Sequence, residues 1–359
     1  MPEKSRTYNS ITNSIVGIAS SLITVVMNFF VRVILVRELG EEINGLHNLF
    51  QGITNVMILM ELGISSAMVI HLYEPIKKKD YELTRAIMSF YKKIYICLAI
   101  VFTMVSLLVS FFLLESMVTT TIPMYRVRIY FLVFTISFTF NYLTYYKRSI
   151  LFAEQKNRIS TGVTAGCEVL FRLIQIVLIL VFHEYTYFLI ATILMKVVSN
   201  KICDYYVSKN HPYLRHNNSI LSKTKRKAIF ATVRPLLVNQ LANTAQQSSR
   251  SILISILLGN VAQVGYYGNY QLLLNVAQNV YSQFGGSFGT SFGNLSVDGD
   301  KMKMQSVYYK SAFIMNWMAC ICCAAFISGA DDFIYLVFGP HFVISHLSVF
   351  VLALDLAVY

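Results

Sequence analysis

The chain is a succession of long apolar runs, and this feature leaves few folds open to it. A helix needs about 20 apolar residues to cross the hydrocarbon core of a bilayer. Of the 359 residues 55% are hydrophobic and only 13% are charged, whereas soluble domains carry about 25% charged residues. The sequence therefore predicts an all-α, polytopic transmembrane protein. Ten spans are predicted, at Ile11–Val36, Asn44–Leu72, Ile94–Leu114, Ile129–Tyr145, Gly162–Phe182, Tyr187–Tyr206, Leu236–Leu258, Tyr266–Phe288, Ala312–Gly329 and Val343–Tyr359.

Charge alternates between the predicted loops. Lysine and arginine concentrate in the N-terminal segment and in every second loop, whereas the opposite loops carry acids such as Glu41, Glu42 and Asp331. Basic loops stay in the cytoplasm, so this pattern predicts a cytoplasmic N-terminus in a multi-pass membrane protein. It also accounts for the net charge of +12 without a nucleic-acid partner.

An internal repeat divides the chain. The stretch Ile11–Asp80 corresponds to Leu236–Asp300, and from Gly45 onward the matching residues lie 220 positions apart. Six predicted spans separate the two copies, so both enter the membrane in the same direction and predict two six-helix lobes related as parallel repeats. The expected domains are an N-terminal lobe (1–206), a cytoplasmic linker (207–234) and a C-terminal lobe (235–359). By this offset the second lobe lacks about two and a half helices, which predicts a truncated chain or, less favoured, an imperfect repeat.

Polar residues cluster in the first two spans of each copy. Polar groups are costly in lipid, so four equivalent polar faces predict a water-filled cleft between the lobes. The alternative is that the amides hold helices together through hydrogen bonds. The candidate cleft residues are Asn28, Arg32, Gln51 and Asn55 in the first copy, and Asn243, Gln246, Arg250, Gln271 and Asn275 in the second.

The two arginines suggest an anionic ligand. A guanidinium group matches the geometry of phosphate or carboxylate, although Arg32 and Arg250 could instead reach toward the membrane interface. Glu61 could pair with an arginine or bind a coupling proton or cation. Glu168 and Arg172 are expected to form a structural ion pair one helical turn apart, and Lys196 is expected to extend toward the cytoplasmic surface.

Motifs for soluble chemistry are missing from the sequence. It has no phosphate-binding G-x-x-x-x-G-K-[ST] loop and no H-E-x-x-H zinc motif, and all six cysteines fall within predicted spans. The sequence therefore predicts no catalytic residue, no metal site and no cofactor.

Several short stretches together resemble one transporter family. They are Leu39-Gly40 with Gly45-Leu46, Glu61-Leu62-Gly63-Ile64, Tyr73-x-Pro75-Ile76, Lys147-Arg148-Ser149 with Gln155-Lys156, and Gly265-Tyr266-Tyr267 through Gly293-Asn294-Leu295. They are similar to the Wzx-like polysaccharide repeat-unit flippases of the multidrug/oligosaccharidyl-lipid/polysaccharide (MOP) exporter superfamily. The resemblance extends over essentially the whole chain.

This resemblance implies a V of two lobes in the bacterial plasma membrane. It would carry undecaprenyl-pyrophosphate-linked oligosaccharide to the outer leaflet by alternating access. Membrane lipids, a polysaccharide polymerase and glycosyltransferases are the implied partners. A cation-coupled multidrug exporter of the same superfamily is the alternative, but acids rather than arginines would then be expected in the cleft. A membrane glycosyltransferase or polymerase is less favoured, because the predicted outer loops are short.

Overall fold

A computed structural model describes residues 6–58, 61, 63–154, 156–215, 221–233, 252–257, 260–278 and 301–358. Helices make up almost all of this described part, which contains no strand. The all-α prediction is therefore confirmed. The helices are α1 (Arg6–Leu39), α2 (Glu41–Ile58), α3 (Ile64–Lys77), α4 (Tyr81–Leu108), α5 (Leu114–Met117), α6 (Met124–Tyr145), α7 (Ser149–Ala153), α8 (Asn157–Phe182), α9 (Tyr185–Asn210), α10 (223–233), α11 (261–278), α12 (Lys301–Phe338) and α13 (His346–Val358), with a further helical turn at 252–257.

Six helical stretches within the described ranges are long and apolar enough to cross a membrane. They confirm a multi-pass membrane protein. Large apolar side chains remain exposed along several of them, including Leu170, Leu173 and Val177 on α8, as expected of surfaces that contact lipid tails. The six stretches are Ile15–Leu39, Tyr81–Met117, Met124–Ala153, Asn157–Phe182, Tyr185–Asn210 and Gln305–Phe338.

The predicted second span is two helices instead of one. Helix α2 ends at Ile58 and α3 begins at Ile64. Between them Gly63 has a φ of 81°, a left-handed conformation that glycine adopts without steric cost. The break places Glu61 between two helix ends.

The predicted linker is partly helical. Helix α9 continues to Asn210, and α10 occupies 223–233. On α10 the side chains of Ile229 and Val233 are buried, the Arg226 guanidinium lies 5.5 Å from the centre of the Phe90 ring, and Thr232 bonds His71 at 3.0 Å. The linker is therefore packed against α3 and α4 and is not a plain loop.

By its internal contacts the chain divides into two compact units, Met1–Val264 and Gly265–Tyr359. The first contains α1 to α10 and the first turn of α11. The second contains the rest of α11 together with α12 and α13, where the Tyr270 hydroxyl donates to Asp331 at 2.5 Å. The predicted lobe boundaries at 206 and 235 stay a prediction. The repeat is visible in one respect, since α2 begins at Glu41 and α11 begins at 261, 220 residues later.

Candidate functional site

Arg32 is held at the hairpin of α1 and α2. Gly40 makes the turn with a φ of 87°, so the two helices run back alongside each other. Arg32 and Asn48 are equally far from Gly40 and therefore lie at the same level of the hairpin. The Arg32 NH1 group donates to Asn48 Oδ1 at 2.8 Å. The guanidinium thus bonds a neutral amide oxygen on the facing helix.

The polar face predicted on α2 is split in two. Asn44 and Asn48, nearer Gly40, are buried with 1% and 6% of their surface exposed. Gln51 and Asn55, further along the helix, are exposed. Gln51 Nε2 lies 3.3 Å from His47 Nε2. Only the second half of this face can therefore offer amides to a ligand without moving a neighbouring helix.

The polar face predicted on α1 contributes partly to helix packing. The Thr24 hydroxyl donates to Glu168 on α8 at 2.5 Å, and Asn13 Oδ1 accepts from the backbone N–H of Arg158 at 2.9 Å. Asn28 is half-buried. Thr24 and Asn13 thus have the helix-joining role that was the alternative to a cleft.

Two further cations lie inside the first unit, and the structure corrects both expectations for them. Arg172 donates to Gln175 at 2.9 Å. Among the described side chains it makes no direct ion pair with Glu168. Lys196 does not extend to the cytoplasmic surface, since its Nζ lies 3.2 Å from the centre of the Phe138 ring and 3.2 Å from Ser137 Oγ.

These cations form a series through the first unit. His47 lies within electrostatic range of both Arg32 and Arg172, and Arg172 lies within range of Lys196. The His47 ring is fixed by the Tyr185 hydroxyl, 2.8 Å from Nδ1. We call Arg32, Arg172 and Lys196 the cationic series. Of these three cations, only Arg32 was among the candidate cleft residues predicted from the sequence. Helical spacing cannot show that Arg172 on α8 and Lys196 on α9 point inward.

Arg148 lies between the predicted spans Ile129–Tyr145 and Gly162–Phe182, in a basic loop expected to be cytoplasmic, but it is buried. Only 5% of its surface is exposed. Its guanidinium donates to three hydroxyls, those of Ser160 at 3.3 Å, Thr164 at 2.7 Å and Ser199 at 3.1 Å, and lies 5.4 Å from the centre of the Tyr145 ring. Arg148 therefore joins α8 and α9 to the turn before α7. This burial could not be predicted from the sequence, because Lys147-Arg148 has the composition of an ordinary basic loop.

Glu61 bonds tyrosines. Its Oε1 accepts from the Tyr95 hydroxyl at 2.8 Å, and the Tyr142 hydroxyl faces the same carboxyl. Among the described residues no arginine lies at ion-pair distance from it. Of the two roles expected for Glu61, the pairing with an arginine is therefore not observed, and the proton or cation site stays a prediction.

In the second unit, the two predicted amides are bonded to each other. Gln271 Nε2 donates to Asn275 Oδ1 at 3.0 Å, and the Tyr267 hydroxyl donates to Gln271 at 2.7 Å. Asn275 is exposed, and Gln271 is half-buried. Asn243, Gln246 and Arg250 lie outside the described residues.

A cluster of ionisable side chains around Glu154 follows α7, outside the spans. Glu154 accepts from Lys156 at 2.8 Å and lies 3.4 Å from His211 Nε2. The His211 ring in turn lies 3.3 Å from the Tyr213 hydroxyl. Burial alone would raise the pKa of Glu154, but the neighbouring His211 and the hydrogen bond from Lys156 outweigh it and hold the pKa below its ordinary value. The cluster thus ties the α7–α8 turn to the start of the linker.

The fold is that of MATE transporters. The chain matches an inward-facing multidrug resistance MATE family transporter of the MOP superfamily with a TM-score of 0.65 and 14% identity, over 96% of this chain and 79% of the other. An outward-facing multidrug resistance MATE family transporter of the MOP superfamily matches with the same score of 0.65 and 17% identity, over 98% and 76%. The chain matches the inward-facing and the outward-facing structure equally well. The comparison therefore shows the fold and does not assign a conformational state.

A MOP-superfamily transporter from Pyrococcus furiosus, described as having a binding pocket of reverse polarity that suggests a different function, also matches. Its TM-score is 0.57 at 16% identity, over 99% of this chain and 78% of the other. No curated protein matches the chain in sequence.

The sequence itself identifies the family. The polysaccharide biosynthesis protein family matches residues 10–288, which is most of the chain and includes α1, α2 and the cationic series. Family and fold together support a multi-pass membrane protein with a transporter fold. The chain belongs to the polysaccharide biosynthesis protein family.

Proposed function

We propose that this protein is a flippase that carries undecaprenyl-pyrophosphate-linked oligosaccharide across the bacterial cytoplasmic membrane by alternating access. The observation that carries the proposal is the Arg32 guanidinium, held within a membrane helix by the neutral amide of Asn48. Charge-assisted bonds from arginine to phosphate are stronger and more directional than bonds to a neutral acceptor. A phosphate group is therefore a stronger acceptor for Arg32 than the Asn48 amide.

The charge balance of the first unit supports the same ligand class. The cationic series contains three basic side chains, and among the described residues Glu168 is a carboxylate beside it. An anion entering this region would be attracted, and an organic cation would be repelled, because charges interact strongly where water is scarce.

The proposed roles divide between charge and hydrogen bonding. Arg32 and Arg250 would hold the pyrophosphate or an acidic sugar. The amides of Asn28, Gln51, Asn55, Asn243, Gln246, Gln271 and Asn275 would bond the glycan, and the lipid tail would stay in the bilayer. Glu61 would bind the coupling proton or cation. The N-terminus would be cytoplasmic, and membrane lipids, a polymerase and glycosyltransferases would be the partners.

A cation-coupled drug exporter is the second candidate, favoured by the multidrug MATE transporters among the structural matches. The sign of the buried charge argues against it, since organic cations are usually met by acids.

The two functions separate in cells that lack this gene. The flippase predicts that lipid-linked oligosaccharide accumulates on the cytoplasmic leaflet, while efflux of cationic dyes is unchanged. Complementation should fail with Arg32→Gln and succeed with Arg37→Gln, a control at the exposed end of α1. Unchanged lipid-linked pools with impaired dye efflux would contradict the proposal and favour the exporter.

A further inference from the structure

Gly45 on α2 touches the backbone at the start of α11. A Cβ atom built on Gly45 would lie 2.0 Å from the carbonyl oxygen of Val261 and 2.7 Å from its carbonyl carbon. Both distances are far shorter than any real contact, and backbone atoms cannot rotate away. Val261 and Val264 are fully buried. The contact between α2 and residues 261–264 therefore requires a residue without a side chain at position 45.

Asn48, on the next turn of α2, links this contact to Arg32. Its Oδ1 accepts from Arg32 at 2.8 Å, and its Nδ2 donates to the carbonyl oxygen of Val264 at 3.4 Å. An arginine can only donate, and a carbonyl can only accept. A side chain placed between them must accept on one side and donate on the other, and an amide satisfies both without changing its protonation.

A phosphate that takes the Arg32 NH1 group would compete with Asn48 for it. The charged acceptor is the stronger of the two, so the amide would lose the partner that orients it. The bond at the other end of the same amide, to Val264, is long at 3.4 Å and depends on that orientation.

We propose that Asn48 is a positioning residue that couples anion binding at Arg32 to the contact between α2 and residues 261–264, so that an occupied Arg32 loosens this contact. The inference rests on the proposed function, because it takes the phosphate of that substrate to be the Arg32 ligand. Coupling is reciprocal: opening the contact must raise the affinity of Arg32 for the anion by the factor with which the anion favours opening.

The test measures how readily a buried position in this contact becomes accessible to solvent. In a variant whose six cysteines are replaced by alanine, Val264→Cys places a thiol where the native side chain is fully buried and leaves the Val264 carbonyl in place. The rate of its reaction with a water-soluble maleimide reports opening. Inorganic pyrophosphate and undecaprenyl pyrophosphate are the probes, and their binding to the same protein is measured separately by calorimetry.

The coupling predicts that either probe accelerates labelling by at least about fivefold, the low end of typical allosteric coupling. Asn48→Asp keeps an acceptor for Arg32 but cannot donate to Val264, so its labelling should be fast without an anion and insensitive to one. Gly45→Ala should also label fast, because its Cβ cannot fit. The matched control is Gly17→Ala, where a Cβ meets nothing within 4 Å, and its labelling should equal that of the parent.

Three results would overturn the inference. In the first, Gly45→Ala labels as slowly as Gly17→Ala. In the second, the anion accelerates labelling equally in the parent and in Asn48→Asp. In the third, the probes bind but leave labelling unchanged. All three leave the proposed function intact if the calorimeter shows pyrophosphate binding that Arg32→Gln abolishes. A parent protein that binds neither probe would overturn the proposed function and the inference with it.

Discussion

Two buried cations within the membrane helices and two cations near the loops have different partners. Arg172 donates to an amide, and Lys196 lies against a hydroxyl and a phenyl ring. Near the loops, by contrast, Arg128 pairs with Glu115 at 2.8 Å, and Lys156 pairs with Glu154 at the same distance. Each of these loop cations has a carboxylate as its direct partner, whereas Arg172 and Lys196 have neutral direct partners.

This difference indicates what each group is for. A buried charge with neutral partners is costly, and a protein can offset that cost by a bound counter-ion. A pair that is already neutral contributes to folding and attracts nothing. The positive charge of the first unit is therefore the part of the molecule suited to an anionic ligand, and the loop pairs fix the ends of the helices that surround it.

The largest expected effect is on ligand binding at Arg32. A hydrogen bond to a charged group contributes about 1.5–3 kcal/mol, so Arg32→Gln should weaken binding of undecaprenyl pyrophosphate at least about tenfold. Affinity measured by calorimetry in detergent micelles checks this. Arg37→Gln, at the exposed end of the same helix, should bind as the native protein does. Equal affinity of both variants would remove the distinction between the two kinds of cation.

The next effect is on stability at Arg148. This side chain joins three hydroxyls of α8 and α9, so Arg148→Ala leaves buried hydroxyls and a cavity and should lower the free energy of unfolding by about 3 kcal/mol. Thermal unfolding in detergent measures the loss. Lys201→Ala, at an exposed position of α9, is the control and should unfold as the native protein does. A loss at Arg148 no larger than this control would show that the buried guanidinium is not structural.

A smaller, pH-dependent effect is expected at Glu154. Its pKa in the folded protein lies below the ordinary value of 4.5. The carboxylate therefore contributes stability that is present above the ordinary pKa and is lost as the pH falls through the folded pKa. Glu154→Gln should cost about 1 kcal/mol at pH 7, and the difference from the native protein should shrink on acidification below pH 4.5. A cost that is the same at pH 7 and in acid would contradict the charged role of this cluster.

The smallest effect is expected at the pair of Glu74 and Lys78. Their side chains are 73% and 70% exposed, so water and salt screen their attraction. Glu74→Gln should leave both the unfolding temperature and the affinity for undecaprenyl pyrophosphate unchanged. A measurable fall in the unfolding temperature or in the affinity would show that this exposed ion pair contributes to stability or to binding, which would contradict the comparison.

The fold class could be predicted from the sequence, because the length of the apolar runs and the alternation of charge between the loops indicate where membrane helices lie. The predicted fifth span, Gly162–Phe182, and helix α8, Asn157–Phe182, even end at the same residue. The polar spacing of α1 and α2 also placed Arg32 among the candidates. Its partner Asn48 lay on the same predicted face but was not singled out, since a contact with Val264 cannot be seen in periodicity.

The remaining features depend on contacts distant in sequence. Arg148 is buried because hydroxyls on α8 and α9 converge on it, and Lys196 is buried because Phe138 of α6 lies beside it. Helical spacing orders residues around one helix, but it does not show which neighbouring helix each face meets. The break at Gly63 was open to prediction from the Leu-Gly-Ile sequence, yet the apolar run across it outweighed the single glycine.

The most direct test of the transport assignment is a competition in proteoliposomes containing the purified full chain. Translocation of undecaprenyl-pyrophosphate-linked oligosaccharide and efflux of a cationic dye are followed in the same vesicles. The account predicts translocation of the lipid-linked oligosaccharide, inhibition by undecaprenyl pyrophosphate, loss of both in Arg32→Gln, and no dye efflux. Dye efflux that Arg32→Gln leaves unchanged, with no movement of the lipid-linked oligosaccharide, would contradict it.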